Sequence, residues 1–226
     1  MLLQKNILYE DNHLIIVNKQ VGEIVQGDKT GDKPLIEIVK DYIKEKYNKP
    51  GNVFLGVTHR LDRPVSGTVI FAKTSKSLQR LNKMFKNNEI KKTYWAIVNK
   101  GDIKPDDTLI HYLLKNEKQN KSYAWDFEKP GSKKAVLDYK IIEYSKTLML
   151  LEINLKTGRH HQIRCQLAKI GFPIRGDLKY GYPRSNPDGG ISLHARQINF
   201  IHPVSKTEIN IVADLPQDKV WKLFIK

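Results

Sequence analysis

The residues best equipped for chemistry lie in one short stretch, Thr58-His59-Arg60-Leu61-Asp62-Arg63-Pro64-Val65-Ser66-Gly67-Thr68. A single carboxylate, Asp62, stands between two guanidinium-bearing residues, Arg60 and Arg63. Neighbouring positive charge favours the charged form of a carboxylate, so Asp62 is expected to stay ionised well below neutral pH. Two other reactive groups stand far away along the chain: Tyr94 within Lys91–Val98, and Arg164, four residues after His160. Taken singly, each has an ordinary explanation. An Arg-Leu-Asp-Arg turn is commonly a salt-bridged surface feature. A tyrosine on a strand usually fills a core, and an arginine on a helix is usually solvated.

Other kinds of chemistry are missing from the pattern. Of the seven histidines none has a metal-ligand spacing, and His160-His161 on a helix would point about 100° apart, unlike an i, i+4 pair. No Gly-x-x-x-x-Gly-Lys phosphate loop occurs, and Ser66-Gly67 lacks the preceding glycine of a nucleophile elbow. Cys165 is the only cysteine, which rules out an internal disulfide framework or a multi-cysteine zinc site. Its place in a helical pattern suits a structural thiol in a reducing, cytoplasmic setting. Any chemistry is therefore expected to come from side chains, without metal or cofactor.

Rigid elements must position these groups. The apolar, β-branched run Val69-Ile70-Phe71-Ala72 behind Asp62 reads as a buried strand, preceded by a short strand over Val53–Val57. Upstream, Ile7–Glu10 and Leu14–Lys19 read as strands around an Asp11-Asn12 turn. The polar segment Gly22–Lys33 reads as a loop. A helix is expected over Leu35, Ile38, Val39, Tyr42 and Ile43, capped by Asp32 with Pro34 in its first turn. A second helix, carrying Leu78, Leu81 and Phe85 on one stripe, starts at Thr74 or Ser75. Lys91–Val98 is a strand, Asp102–Asp107 a turn-rich connection, and His111–Phe127 a hairpin. Ala135–Tyr144 and Leu148–Leu155 are two more strands. Thr157–Lys169 suits a helix capped by Thr157 and stopped by Gly171, with Ile163, Leu167 and Ile170 inward and His160 and Arg164 sharing another face. Gly176–Gly190 is irregular, Ile191–Ile201 and Lys206–Val212 are late strands, and a short helix follows Asp218. Interleaved but irregular strands and helices point to an α+β fold.

At 226 residues, 40% hydrophobic, the chain can bury a substantial core. Its 39 Lys and Arg against 24 Asp and Glu give a formal charge of +15. Such an excess concentrates polyanions, so nucleic acid is the first partner to consider. Met1–Glu10 lacks the apolar core of a signal peptide, and no stretch has the length of a membrane span.

Together, the motifs resemble one family. His59-Arg60-Leu61-Asp62-Arg63-Pro64-Val65-Ser66-Gly67 with Ala72-Lys73 is similar to the signature loop of the RluA-type RNA pseudouridine synthases. Lys92-Thr93-Tyr94-Trp95-Ala96-Ile97-Val98 resembles their tyrosine strand. Thr157-Gly158-Arg159-His160-His161-Gln162-Ile163-Arg164, continuing through Gly171-Phe172-Pro173-Ile174 to Tyr180-Gly181, resembles their third motif. Leu193-His194-Ala195, Phe200-Ile201-His202-Pro203 and the opening, Glu10-Asp11 through Val17-Asn18-Lys19, extend the likeness over nearly the whole chain. Gln20 departs from a usual proline, and His160 from a threonine or lysine.

The resemblance implies a single catalytic domain over residues 1–226, with no accessory RNA-binding domain at the amino terminus. It implies a mixed, largely antiparallel central sheet flanked by helices, with a basic active-site cleft. The activity implied is cofactor-free isomerisation of flipped-out uridines in ribosomal or transfer RNA to pseudouridine, by a monomer. Asp62, Tyr94 and Arg164 would be catalytic, with Arg164 pairing with Asp62 and Tyr94 stacking on the uracil. His59, Arg60, Arg63, Arg159, His160 and Ile163 would contact RNA, Arg60 filling the gap left by the flipped base. Two other readings compete: a non-catalytic RNA-binding or ribosome-assembly factor, and an RNA-processing hydrolase, which would need a metal or second carboxylate near Asp62.

Overall fold

The computed structural model describes residues 4–28 and 30–224. Residues 1–3 of the amino-terminal stretch, Lys29 of the expected loop, and residues 225 and 226 lie outside them. The strands are β1 (Ile7–Glu10), β2 (Leu14–Lys19), β3 (Gly56–Val57), β4 (Ser66–Ala72), β5 (Lys91–Asn99), β6 (Asp106–Asn116), β7 (Lys121–Trp125), β8 (Lys133–Tyr144), β9 (Leu148–Leu155), β10 (Leu193–Ile201) and β11 (Glu208–Val212). The helices are α1 (Leu35–Lys46), α2 (Ser75–Lys86) and α3 (Gln162–Lys169). Single 3-10 turns span Gln4–Asn6, Leu178–Tyr180 and Trp221–Phe224. The fold is α+β, as expected. No described helix is long and apolar enough to cross a membrane.

The chain divides into two compact units, one from Met1–Lys91 and Ala195–Leu215, the other from Lys92–His194 and Pro216–Lys226. In the first, β2 lies between β1 and β4, and β4 lies between β2 and β10. The β1–β2, β2–β4, β3–β4 and β10–β11 ladders are antiparallel. The Asp11 turn works as its residue type demands: Oδ1 accepts the N–H groups of His13 at 2.7 Å and Leu14 at 2.8 Å. Every residue of β2 and β4 is buried, as their apolar runs require. Leu81 and Met84 of α2 pack with Leu14, Ile16, Ile70, Ile198 and Phe200. Thr74 caps α2, its hydroxyl accepting the Ser77 N–H at 3.1 Å. Gly67, with φ of 116°, leaves no room for a side chain, because a Cβ there would collide with the backbone of Ala195.

In the second unit, β5-β9-β8-β6-β7 form a consecutively paired antiparallel array with β7 outermost. The expected hairpin is β6–β7, but β6 begins at Asp106, inside the segment expected to be a connection. Helix α3 packs on β6 and β7, and Leu113, Ala135, Cys165 and Tyr180 form a small core there. Burial pushes the Cys165 thiol up to about 12, and its Sγ donates to the Ser122 carbonyl at 3.2 Å. It is the structural thiol expected.

Five local expectations fail. Asp32 does not cap α1. Pro34 occupies that position, without a side-chain hydrogen bond, while Asp32 binds Arg63. The strand expected over Val53–Val57 shrinks to β3. Helix α3 starts at Gln162, not Thr157, because His161 adopts a left-handed conformation with φ of 52°. His160 therefore precedes the helix and shares no helical face with Arg164. For the same reason the rings of His160 and His161 do not diverge; they stack, with centroids 3.8 Å apart.

Candidate active site

The expected site residues fall in both units, each with its own supports. In the first, Asp62 is half-buried on the loop before β4. Three contacts hold that loop. The Asp62 carbonyl accepts the Val65 N–H at 3.0 Å, closing a tight turn, and the Arg63 carbonyl accepts the Gly22 N–H at 3.0 Å. The third support is Lys19, at the end of β2 opposite Gly67 and fully buried. Its ammonium donates to the carbonyls of Val65 at 2.6 Å, Gln20 at 3.0 Å and Arg63 at 3.1 Å. Burial lowers the Lys19 ammonium to about 8, against the opposing pull of Glu23 and Asp62. A buried ammonium is tolerated only when hydrogen-bonded, and here two of the bonds go to carbonyls within the Asp62 turn, those of Arg63 and Val65.

The other first-unit candidates divide. His59 accepts the Ile70 N–H at Nε2, at 3.0 Å, with its ring 4.8 Å from that of Phe85. Arg60 is exposed. Arg63 turns to the 28–32 segment, donating to Asp32 and to Thr30 Oγ1, each at 2.6 Å, with Asp28 at 3.5 Å. Gln20, where proline is usual in the resembling family, donates its N–H to Glu23 at 2.7 Å. A proline would lack that donor.

In the second unit, Tyr94 is 8% exposed on β5, opposite Ile153. Lys92 stands two residues earlier and so on the same strand face. Burial depresses its ammonium, and its Nζ lies 3.5 Å from where a Cβ on Gly158 would be. Arg164 is 5% exposed on α3 and engages Asp177, itself 1% exposed, through both ends of its fork. Nε lies 2.7 Å from Oδ2, and Nη2 lies 2.9 Å from Oδ1. The Arg164 guanidinium also faces the Tyr180 ring, 5.1 Å from its centroid. Burial raises the Tyr180 hydroxyl pKa. That hydroxyl accepts the Ser122 N–H at 2.9 Å and lies 3.0 Å from His161 Nδ1.

The turn into α3 is organised by Gln162. Its Oε1 accepts from Thr157 Oγ1 at 2.8 Å and the Arg159 N–H at 2.9 Å, and its Nε2 donates to the Val136 carbonyl at 3.1 Å. This turn presents Arg159, which is exposed, and His160, whose carbonyl accepts the Ser122 hydroxyl at 2.8 Å. Arg159 and His160 line an open pocket of about 420 Å³ with Lys115, Lys133, Ser122 and Gly158. The pocket has a cationic rim, and its carboxylate, Glu117, lies 2.6 Å from Lys115. Ile163 is buried with Leu167, on the apolar stripe of α3.

Asp177, Lys19 and Gln162 fall within the resembling motifs, but sequence reasoning gave none of them a role. Each acts through another residue rather than through a motif of its own. Asp177 alone carried a usable signal, because a buried arginine on an apolar helix requires a carboxylate partner.

A model of the RNA pseudouridylate synthase family matches residues 13–169. Ribosomal large subunit pseudouridine synthase C of Buchnera aphidicola subsp. Schizaphis graminum is 34% identical over 99% of this chain and 70% of its own length. The tRNA pseudouridine synthase C of Vibrio vulnificus is 32% identical over 96% of this chain and 92% of its own. Among solved structures, human RNA pseudouridylate synthase domain containing 4 superposes with a TM-score of 0.81 at 23% identity, covering 98% of this chain and 93% of that one.

Proposed function

Because the chain belongs to the RNA pseudouridylate synthase family, we propose that Asp62, Tyr94 and Arg164 carry its reaction on selected uridines of ribosomal large-subunit or transfer RNA. The protein is an RNA pseudouridine synthase, an isomerase converting uridine in RNA to pseudouridine. The N-glycosidic bond breaks, the uracil turns, and C5 bonds to the sugar carbon. The proton leaving C5 is balanced by one taken up at N1, so no atom is gained or lost and no cofactor is required.

An ionised carboxylate beside the anomeric carbon is the group such chemistry needs, as in glycoside hydrolysis. Asp62 supplies it. The observation that carries this reading is how the loop is mounted: a buried strand stands behind it, and the Lys19 ammonium ties down two carbonyls of the turn itself, those of Arg63 and Val65. We assign Arg164 the role of the arginine that partners the aspartate in the resembling family, and Tyr94 that of stacking on the uracil. A uridine must leave its stack to react, at a cost of a few kcal/mol. The exposed Arg60, with a planar guanidinium suited to stacking, fills the gap. His59, Arg63, Arg159 and His160 shape the RNA-contacting surface, lysines hold phosphates, and Ile163, expected there, is instead buried in the core beneath α3. We place the enzyme in the cytoplasm, working as a monomer.

Asp62→Asn should abolish tritium release from 5-tritiated uridine in RNA. RNA affinity should fall by less than about tenfold, roughly 1.4 kcal/mol. Substantial residual turnover ends the assignment, and free uracil or chain cleavage by the wild type would mark a hydrolase. Mapping pseudouridines in cellular RNA with and without the protein identifies the target.

A further inference from the structure

The face of β7 directed away from α3 carries a feature that uridine isomerisation does not use. Ser122 turns its hydroxyl to His160, on the side where α3 packs. Side chains alternate along a strand, so Tyr123 and Trp125 point the other way. Their rings are 6.2 Å apart, and Phe127, two residues beyond the strand, shares the Lys129 ammonium with Trp125. Tyr123 is 39% and Phe127 62% exposed. Large aromatic rings left in water in a row are the informative kind of exposure, unlike scattered apolar residues.

Lysines interleave with the rings. Lys129 Nζ lies 4.8 Å from the Trp125 centroid and 5.4 Å from that of Phe127. Lys121 Nζ lies 5.5 Å from the Tyr123 centroid. Of the nearby carboxylates, Asp126 is paired with Lys169 at 2.9 Å, while Glu128 is exposed. Lys121 also reaches around the outermost strand to within 5.1 Å of the Tyr180 centroid, the ring that Arg164 faces. The row therefore begins beside the Arg164 cluster.

We infer that Tyr123, Trp125 and Phe127, with Lys121 and Lys129, form a stacking platform for a single-stranded RNA segment flanking the modified uridine; the choice of RNA rests on the function proposed above. Aromatic faces take successive bases whatever their identity, and ammonium groups take the phosphates between them. A protein partner fits less well, because the centres of protein interfaces are depleted in lysine. The platform selects RNA with an unpaired segment next to the target and disfavours fully paired duplex.

The test is binding of labelled oligouridylate and of a fully paired RNA duplex, followed by fluorescence anisotropy. Trp125→Ala/Phe127→Ala should weaken oligouridylate binding by about tenfold or more and leave duplex binding unchanged. Phe127→Ala alone, at an exposed position, should show part of the loss with an unchanged melting temperature. Unchanged oligouridylate binding by the double variant overturns the proposal. So does an equal loss on duplex, which would make the patch a charge effect or a site for another partner. The readout is independent of turnover: failure of the wild type to isomerise uridine, with the binding loss still seen in the variants, would count against the catalytic reading and leave the platform standing.

Discussion

Arg164 and Asp177 show how much one pair of side chains can commit. Both are buried, and two charge-assisted hydrogen bonds join them at 2.7 and 2.9 Å. Removing one member strands a charge that water cannot reach. Arg164→Met is therefore expected to lower stability by about 3–5 kcal/mol, read as a reduced urea midpoint. Arg164→Lys keeps the charge but cannot form the two-bond fork, and should fall between Arg164→Met and the wild type. An Arg164→Met protein unfolding at the wild-type midpoint would show that the pair contributes little. The same residue marks a limit of sequence reading. Its place in the motif was legible, but its carboxylate partner follows thirteen positions later, in a segment with no periodicity to single it out.

Elements are joined by another residue to which sequence reasoning gave no role. Glu10, at the end of β1, accepts hydrogen bonds from Lys46 at 2.7 Å, Lys73 at 2.8 Å, Tyr47 at 2.9 Å and Tyr42 at 3.1 Å. It thus ties α1 and the end of β4 to β1. Burial alone would raise its carboxyl, but the bonds from Lys46, Lys73 and Tyr47 prevail and hold it at about 2, against an ordinary 4.5. A carboxyl depressed in the folded state contributes stability above the unfolded value and loses it as pH falls through the folded one. Stability should decline between about pH 4.5 and pH 2, by at most about 3 kcal/mol from this group. Glu10→Gln should flatten that limb of the stability curve. An identical acid limb in the variant would remove Glu10 from the account.

Strands and helices built on local pattern were readable: β2 and β4 from apolar runs, α2 from Thr74 and its stripe, the β1–β2 turn from Asp11. The start of α3 was not, because Gln162 captures Thr157 and the Arg159 amide and leaves His161 left-handed. Partners of Glu10 stand 32 to 63 residues away, a range that propensity and periodicity do not address. The loop carrying Asp62 was legible, whereas its brace, Lys19, arrives from 44 and 46 residues upstream of the carbonyls it binds.

For the molecule as a whole, the excess of 39 basic over 24 acidic side chains predicts its behaviour with RNA. Each phosphate neutralised releases counterions, so affinity should fall with salt. A log–log slope of about −3 or steeper is expected if four or more phosphates are engaged. A flat dependence would mean that the excess charge lies away from the bound RNA. Chain routing has a separate effect. The first unit takes Met1–Lys91 and is completed only by Ala195–Leu215, which bring β10 to the side of β4 away from β2. On the ribosome, one edge of β4 must therefore wait, paired only at Phe71 and Ala72 by the short β3, while residues 92–194 are synthesised. Unpaired apolar strands invite association between chains. The nascent polypeptide is thus most vulnerable just before Ala195–Leu215 emerge, and chains truncated ahead of that segment should accumulate as insoluble material rather than as a shorter enzyme.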